Sequence, residues 1–220
     1  MIKISIGEQI KRRIPELVLG CIECDVKISE ENPDLWEEIQ STCKEIEQTK
    51  GFVEVSSLPA IKASKIAYKH FGKDPARYRL SSEALMRRII KGLDLYRINN
   101  VVDLLNLVSL RTGMSIGGYD AKKIDGEVTF DIGTNNEPYE AIGRGELNIE
   151  FLPVFRDRIS AFGSPTSDSV RTSVTLNTVR FLMIIIGFSG IPGTTETMEL
   201  AVTLLKKYAS AANIETFLIQ

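Results

Sequence analysis

The sequence predicts an α+β fold, because helices and strands arrive in blocks rather than in strict alternation. Two observations carry that reading. Most of the first 113 residues show helical hydrophobic spacing, and after Gly113 the pattern changes to period two. One eight-residue apolar run, Phe181 to Phe188, then has the look of a strand buried on both faces.

In chain order, residues 15–28 are rich in strand formers and predict a strand. Asn32-Pro33-Asp34 opens a helix whose Trp36, Ile39, Cys43 and Ile46 fall at helical spacing, with Gly51 as its stop. A second helix is expected over 58–71, ending at Gly72. Ser81-Ser82-Glu83 reads as the N-cap of a third, running to Lys91 with Leu85, Ile89 and Ile90 inward. Val101, Leu104, Leu105 and Val108 mark a fourth, closed by Thr112-Gly113. Val128, Phe130 and Ile132 alternate with polar residues as a half-buried strand, and Asn135-Asn136 turns into a returning strand over 139–142. Residues 156–163 alternate again, 180–188 form the buried strand, 195–209 a helix, and 214–219 a last strand. No repeat or linker divides the chain, so residues 1–220 are expected to form one domain with a helix-rich N-terminal part.

Composition excludes several classes. Apolar residues make up 43% and charged residues 25%, which is globular and not disordered. The longest apolar run is far short of the ~20 residues a spanning helix needs, so no membrane association is expected. An odd three cysteines suit a reducing compartment, and the expected location is the cytoplasm. Cys21 and Cys24 have redox or zinc spacing, yet three apart on a strand they face opposite sides. With one histidine, His70, there is no zinc site and no nucleophile elbow to make a triad. Neither a phosphate-binding loop nor a dinucleotide fingerprint is present, so no metal and no cofactor is expected.

Charge is unevenly spread. Glu16 to Glu54 holds eleven acidic residues against three lysines; Lys62 to Arg97 holds ten basic residues against three acidic. This asymmetry builds a basic face or lets the two segments pair with each other. Lys62, Lys65, Lys69 and Lys73 follow one helical face, opposite Ile61, Ile66 and Phe71, which is how phosphates are met; a solvated amphipathic face has the same spacing. Asn99, Asp103 and Asn106 recur at helical spacing on an otherwise apolar-rich face and suit backbone clamping. Gly117-Gly118 permits close approach of packing or of a ligand. Residues 162–173 end a strand with hydroxyls and one arginine, suiting either a binding loop for a polar ligand or a capping connection.

The run Ile98-Asn99-Asn100-Val101-Val102-Asp103 with Asn106, then Gly113, Gly118-Tyr119-Asp120 and Lys123-Ile124-Asp125-Gly126, resembles the B3/B4 region of bacterial phenylalanyl-tRNA synthetase β subunits. Ser82 to Arg88 with Gly92 resembles that family's preceding helix. Gly163-Ser164 and 172–176 resemble its glycine loop and following strand. The resemblance covers about 80–190, with 1–75 as an extension packed on that core. It implies a layered β/β/α fold and a pocket that receives the 3′ end of misacylated tRNA and hydrolyses wrongly attached tyrosine. By the same resemblance, the pocket candidates are Gly117, Gly118, Ser164, Thr166, Asp168, Arg171, Thr172 and Asn177. Gly117 stands where the family has histidine and Asn177 where it has glutamate, so tyrosine specificity does not carry over and no catalytic residue is assigned. The expected function is a freestanding tRNA-editing hydrolase binding tRNA and an aminoacyl group; a non-catalytic RNA- or small-ligand-binding module on the same scaffold is the alternative.

Overall fold

In the computed structural model, which describes residues 1–220, the apolar run becomes a strand, β9 (Arg180–Gly187), at the interior of an antiparallel sheet. Its neighbours are β2 (Val18–Asp25) and β3 (Ser115–Asp120), and β10 (Ala212–Ile219) pairs with the far side of β2, giving the order β10-β2-β9-β3. Phe181, Met183 and Ile185 pack toward a helical layer, while Leu182, Ile184 and Ile186 pack toward a second sheet. β2 divides in the same way. Cys21 joins the core between the sheets and Cys24 the core under the helices, so the two thiols point apart.

The second sheet has the order β1-β4-β7-β8, formed by β1 (Ile4–Ile6), β4 (Val128–Ile132), β7 (Pro153–Arg156) and β8 (Ala161–Gly163). β1 runs parallel to β4 and the other pairs are antiparallel. A short ribbon joins β5 (Glu140–Ala141) to β6 (Gly145–Glu146). Residues 139–142 therefore do not return along β4 as expected, because β4 already has β1 and β7 on its two edges. The expected strand over 156–163 is two strands, since Asp157 accepts backbone hydrogen bonds from Ile159 and Ser160 and turns the chain between them.

The helices are α1 (Glu8–Arg13), α2 (Pro33–Thr49), α3 (Phe52–Ser57), α4 (Pro59–His70), α5 (Ser81–Ile90), α6 (Asn100–Thr112) and α7 (Ile191–Ala209). Asn32 caps α2 by accepting from the Leu35 amide at 3.1 Å, with Pro33 just inside the helix. Ser81 and Ser82 cap nothing: α5 begins at Ser81 behind Leu80, and Ser82 and Glu83 are buried on its inner face with Met86 and Ile89. Leu85 and Ile90 are only partly buried.

Helices α2, α6 and α7 cover the β2–β9 sheet, so the layers run sheet, sheet, helices, the β/β/α order. A third cluster joins α3, α4 and α5 to β7 and the 139–152 segment. The first 75 residues do more than pack on a core, since they supply β2 to the interior of one sheet and β1 to the edge of the other. No helix is long and apolar enough to cross a membrane.

Candidate functional site

Because β3 is an edge strand, its outer backbone groups need partners that no further strand supplies. The segment after β8 provides one. Asp168 lies against this edge, accepting from the Tyr119 hydroxyl at 2.8 Å through Oδ1 and from the Gly118 amide at 3.5 Å through Oδ2. Burial pushes the Asp168 carboxyl up to about 7, against the lowering effect of those hydrogen bonds. Between this edge, α5, α6 and the 168–174 segment lies a cavity of about 330 Å³. Leu105, Ile116 and Val174 make its apolar wall, Asn106 and Asp168 are among its polar groups, and Ile98, Ile142 and Val170 stand half-exposed around its mouth.

The 164–168 loop is held from several sides. Ser164 Oγ donates to the Ser167 carbonyl and accepts from the Thr166 and Ser167 amides, a self-closing turn. Tyr68 from α4 bonds Thr166 Oγ1 at 2.8 Å, Tyr139 donates to the Ser167 carbonyl at 2.6 Å, and the Ser81 amide donates to the Pro165 carbonyl. Tyr119 completes the set. Tyr68, Tyr119 and Tyr139 are all buried, and burial raises each phenol, so they stay protonated; Tyr119 and Tyr139 serve as donors.

Gly117 and Gly118 face opposite ways. A methyl on Gly118 would meet Leu105 Cδ1 at 2.6 Å, on the cavity side. One on Gly117 would overlap the Tyr119 hydroxyl, as would one on Gly163. The space at Gly117 is therefore filled by Tyr119.

Of the eight pocket candidates, Gly118 and Asp168 line the cavity. Ser164 and Thr166 shape the loop behind it. Arg171 turns away, pairing with Asp157 at 2.8 Å, donating to the Lys123 and Ser160 carbonyls and lying over the Phe162 ring. Thr172 is fully buried with no partner for its hydroxyl. Asn177 sits on an exposed turn outside the cavity.

The polar strip of α6 also divides. Asn99 caps the helix through the Val101 and Val102 amides. Asp103 accepts from Trp36 Nε1 at 2.8 Å and the Ile98 amide at 3.1 Å, and Asn106 faces the cavity. Asn100, which helical spacing did not single out, is the stronger clamp. It accepts from the Ser29 amide and donates to the Lys27 and Tyr208 carbonyls, tying α6 to β2's exit and to the end of α7.

A family model described as the B3/4 domain matches residues 63–213. The chain belongs to the B3/4 domain family. Its fold resembles an N-terminal fragment of the phenylalanyl-tRNA synthetase β subunit from Pyrococcus horikoshii, with a TM-score of 0.52 and 15% identity. That match covers 99% of this chain and 50% of the fragment, so the chain spans half the fragment's length. No curated protein matches the chain.

On this B3/4 domain the four lysines are not equivalent. Lys62 and Lys69 are exposed, as is His70. Lys65 turns inward to Glu83 Oε1 at 2.8 Å and to Ser56, and Lys73 is buried with its ammonium over the Tyr78 ring. Ile66, expected on the apolar side, is 47% exposed. Glu83, which the Ser81-Ser82-Glu83 signature places at a helix start and not opposite the lysines, is 1% exposed and also accepts from Arg87. Its burial draws Lys65 out of the stripe. Replacing Lys65 with alanine is expected to cost about 2 kcal/mol in denaturant unfolding, below the ~3–5 for a fully broken buried pair because Arg87 remains. Lys62→Ala and Lys69→Ala should change stability by less than about 0.5 kcal/mol.

No ion pair joins the acidic and basic segments, which meet instead through Arg87 over the Phe52 ring and Arg97 over the Trp36 ring. Glu23 and Asp25 bind Arg180, and Glu38 binds Arg111 and Lys207. A larger cleft, about 580 Å³, opens between α2 and the 89–97 segment, with Lys44, Glu47, Asp94 and Arg97 among its lining. None of the pocket candidates lies there. No group of three or more His, Cys, Asp or Glu side chains is placed to hold a metal.

Proposed function

We propose that residues 1–220 act as one B3/4-type domain that takes the aminoacylated 3′ end of a tRNA and hydrolyses the ester, with the aminoacyl group in the cavity at the β3 edge. The observation that carries this reading is the cavity itself: a small, mostly apolar space whose single ionisable wall group, Asp168, is held by Tyr119 and Gly118. Membership of the B3/4 family and the fold of the synthetase fragment support the tRNA connection. An aminoacyl ester is already activated, so a positioned water and a fixed ribose supply much of the rate without a strong base. Lys62 and Lys69 are the members of the lysine stripe free to meet phosphate. The unpaired thiols of Cys21, Cys24 and Cys43 fit work in the cytoplasm.

A deacylation assay over a panel of mischarged tRNAs tests the proposal. Release of amino acid from at least one is expected, and Ile142→Arg or Val170→Trp, both at the exposed mouth, should slow it at least ~10-fold while leaving the unfolding midpoint unchanged. Arg171 and Thr172 are poor probes, because both are embedded in the fold behind the cavity. Saturable tRNA binding without release from any substrate would replace hydrolysis by binding alone. That second reading draws on the occupied hydrogen bonds of Ser164 and Thr166, which leave neither hydroxyl free as a nucleophile.

A further inference from the structure

The cavity at the β3 edge carries an unbalanced charge. Asp168 is its only ionisable wall residue, and no lysine or arginine pairs with it. The titratable groups that face it are Tyr119 from β3 and Tyr139 from the segment before β5, both neutral donors. From α5 and α6 come Ser81, Asn106 and Ser109, which do not titrate. A carboxylate in an apolar cavity is costly unless a cation joins it. The surrounding architecture is built to keep it there. Tyr119 donates to one oxygen, and Gly117 and Gly163 both leave the room its hydroxyl occupies. The other oxygen has the longer contact, 3.5 Å to the Gly118 amide, and the Ser164 backbone amide also helps to hold the carboxyl down.

We propose that Asp168 reads the free α-ammonium of the bound amino-acid moiety, with Tyr119 as the positioning residue that aims its carboxylate into the cavity. This rests on the reading of the cavity given above and names its substrate class. The ligand is an α-amino ester or amide with an apolar side chain: the ammonium meets Asp168, and the side chain meets Leu105, Ile116 and Val174. No cation lines the cavity to balance a free carboxylate, so esters and amides are taken in preference to free amino acids. N-acylated aminoacyl groups, which have lost the charge, are refused.

The test is calorimetric titration of the full chain with L-amino-acid amides of alanine, valine, leucine and phenylalanine, each against its N-acetyl counterpart, from pH 5 to 7.5, where the α-ammonium stays largely charged. At least one amide is expected to bind, and its N-acetyl form to bind at least ~10-fold more weakly, the worth of a charge-assisted hydrogen bond. Asp168→Asn should abolish that preference. Tyr119→Phe should keep it but move the pH at which binding is half-lost upward, because the phenol's hydrogen bond holds the Asp168 carboxyl down; a merely structural role would not move that midpoint. Binding of no amide, equal binding of N-acetyl forms, or an Asp168→Asn protein that keeps the preference would each overturn the proposal. The two readings separate in tRNA assays. Equal cleavage of N-acetylaminoacyl-tRNA removes the ammonium role and leaves editing standing, while amide preference without tRNA deacylation does the reverse.

Discussion

Gly117→Ala is expected to destabilise the protein by about 2–3 kcal/mol, the upper part of the range for overpacking a closed core. The added methyl would overlap the hydroxyl of Tyr119, and that ring has no room to retreat. Tyr119 is fully buried, with the Phe162 ring edge-on at 4.9 Å and Phe155 at 6.1 Å. The displaced hydroxyl would also give up its 2.8 Å bond to Asp168. Denaturant unfolding of a double-mutant cycle checks the cause. Because phenylalanine lacks the clashing oxygen, Tyr119→Phe with Gly117→Ala should recover part of the loss, a coupling above ~0.5 kcal/mol. Additive effects would mean that Gly117 is required for another reason.

The second large effect concerns pH. Asp168 titrates at about 7 in the folded protein, against an ordinary 3.8, because burial disfavours its charged form. A carboxyl raised in this way is no burden below about pH 4, where it is protonated folded or unfolded. Its cost grows as pH rises from 4 and is complete above about 7, on the order of 4 kcal/mol. Asp103, raised by burial in the same direction, adds to the trend. Glu38 is held down to about 2, and Asp25, Asp125, Glu137 and Asp157 are also lowered, chiefly by hydrogen bonds and ion pairs acting against burial where there is any. Their stabilisation is lost only below about pH 4. The unfolding midpoint should therefore rise as pH falls from 7.5 to 5, and Asp168→Asn should raise stability at pH 7.5 while flattening that slope. A wild-type midpoint that falls over this range, or an Asp168→Asn protein with an unchanged slope, would contradict the assignment.

The sequence was most readable where local signals and tertiary packing agree. α6 shows its apolar stripe and its left-handed stop at Gly113, φ 74°, and each is a local device, whereas Asn99, which spacing groups with the clamping strip, is its N-cap. β9 is recognisable because burial on both faces removes alternation. β1 and α3 are too short to carry a period, and β1 exists only through its pairing with β4, more than a hundred residues away. β3 holds two adjacent glycines, poor strand formers, and its pairing with β9 overrides that preference.

The site divides similarly. The hydroxyl-rich loop pointed to Asp168, yet what sets that carboxylate is Tyr119, 49 residues earlier. A possible signal was the glycine two residues before Tyr119, on the same strand face. Helical spacing placed four lysines in a row but was silent about Glu83, 18 residues beyond Lys65, which draws that lysine inward. Arg171 looks like a ligand group in the sequence because its partner Asp157 lies in a turn that alternation alone presents as continuous strand.

The most direct test of the central claim is heteronuclear NMR of the full chain titrated with a non-hydrolysable aminoacyl-adenosine carrying an amide in place of the ester. The account predicts saturable shifts of Gly118, Asp168, Asn106 and Ile142, with the residues of the α2 cleft, such as Leu93 and Cys43, unmoved. Shifts confined to that cleft, or none at millimolar ligand, would show that the β3-edge cavity does not receive an aminoacyl end.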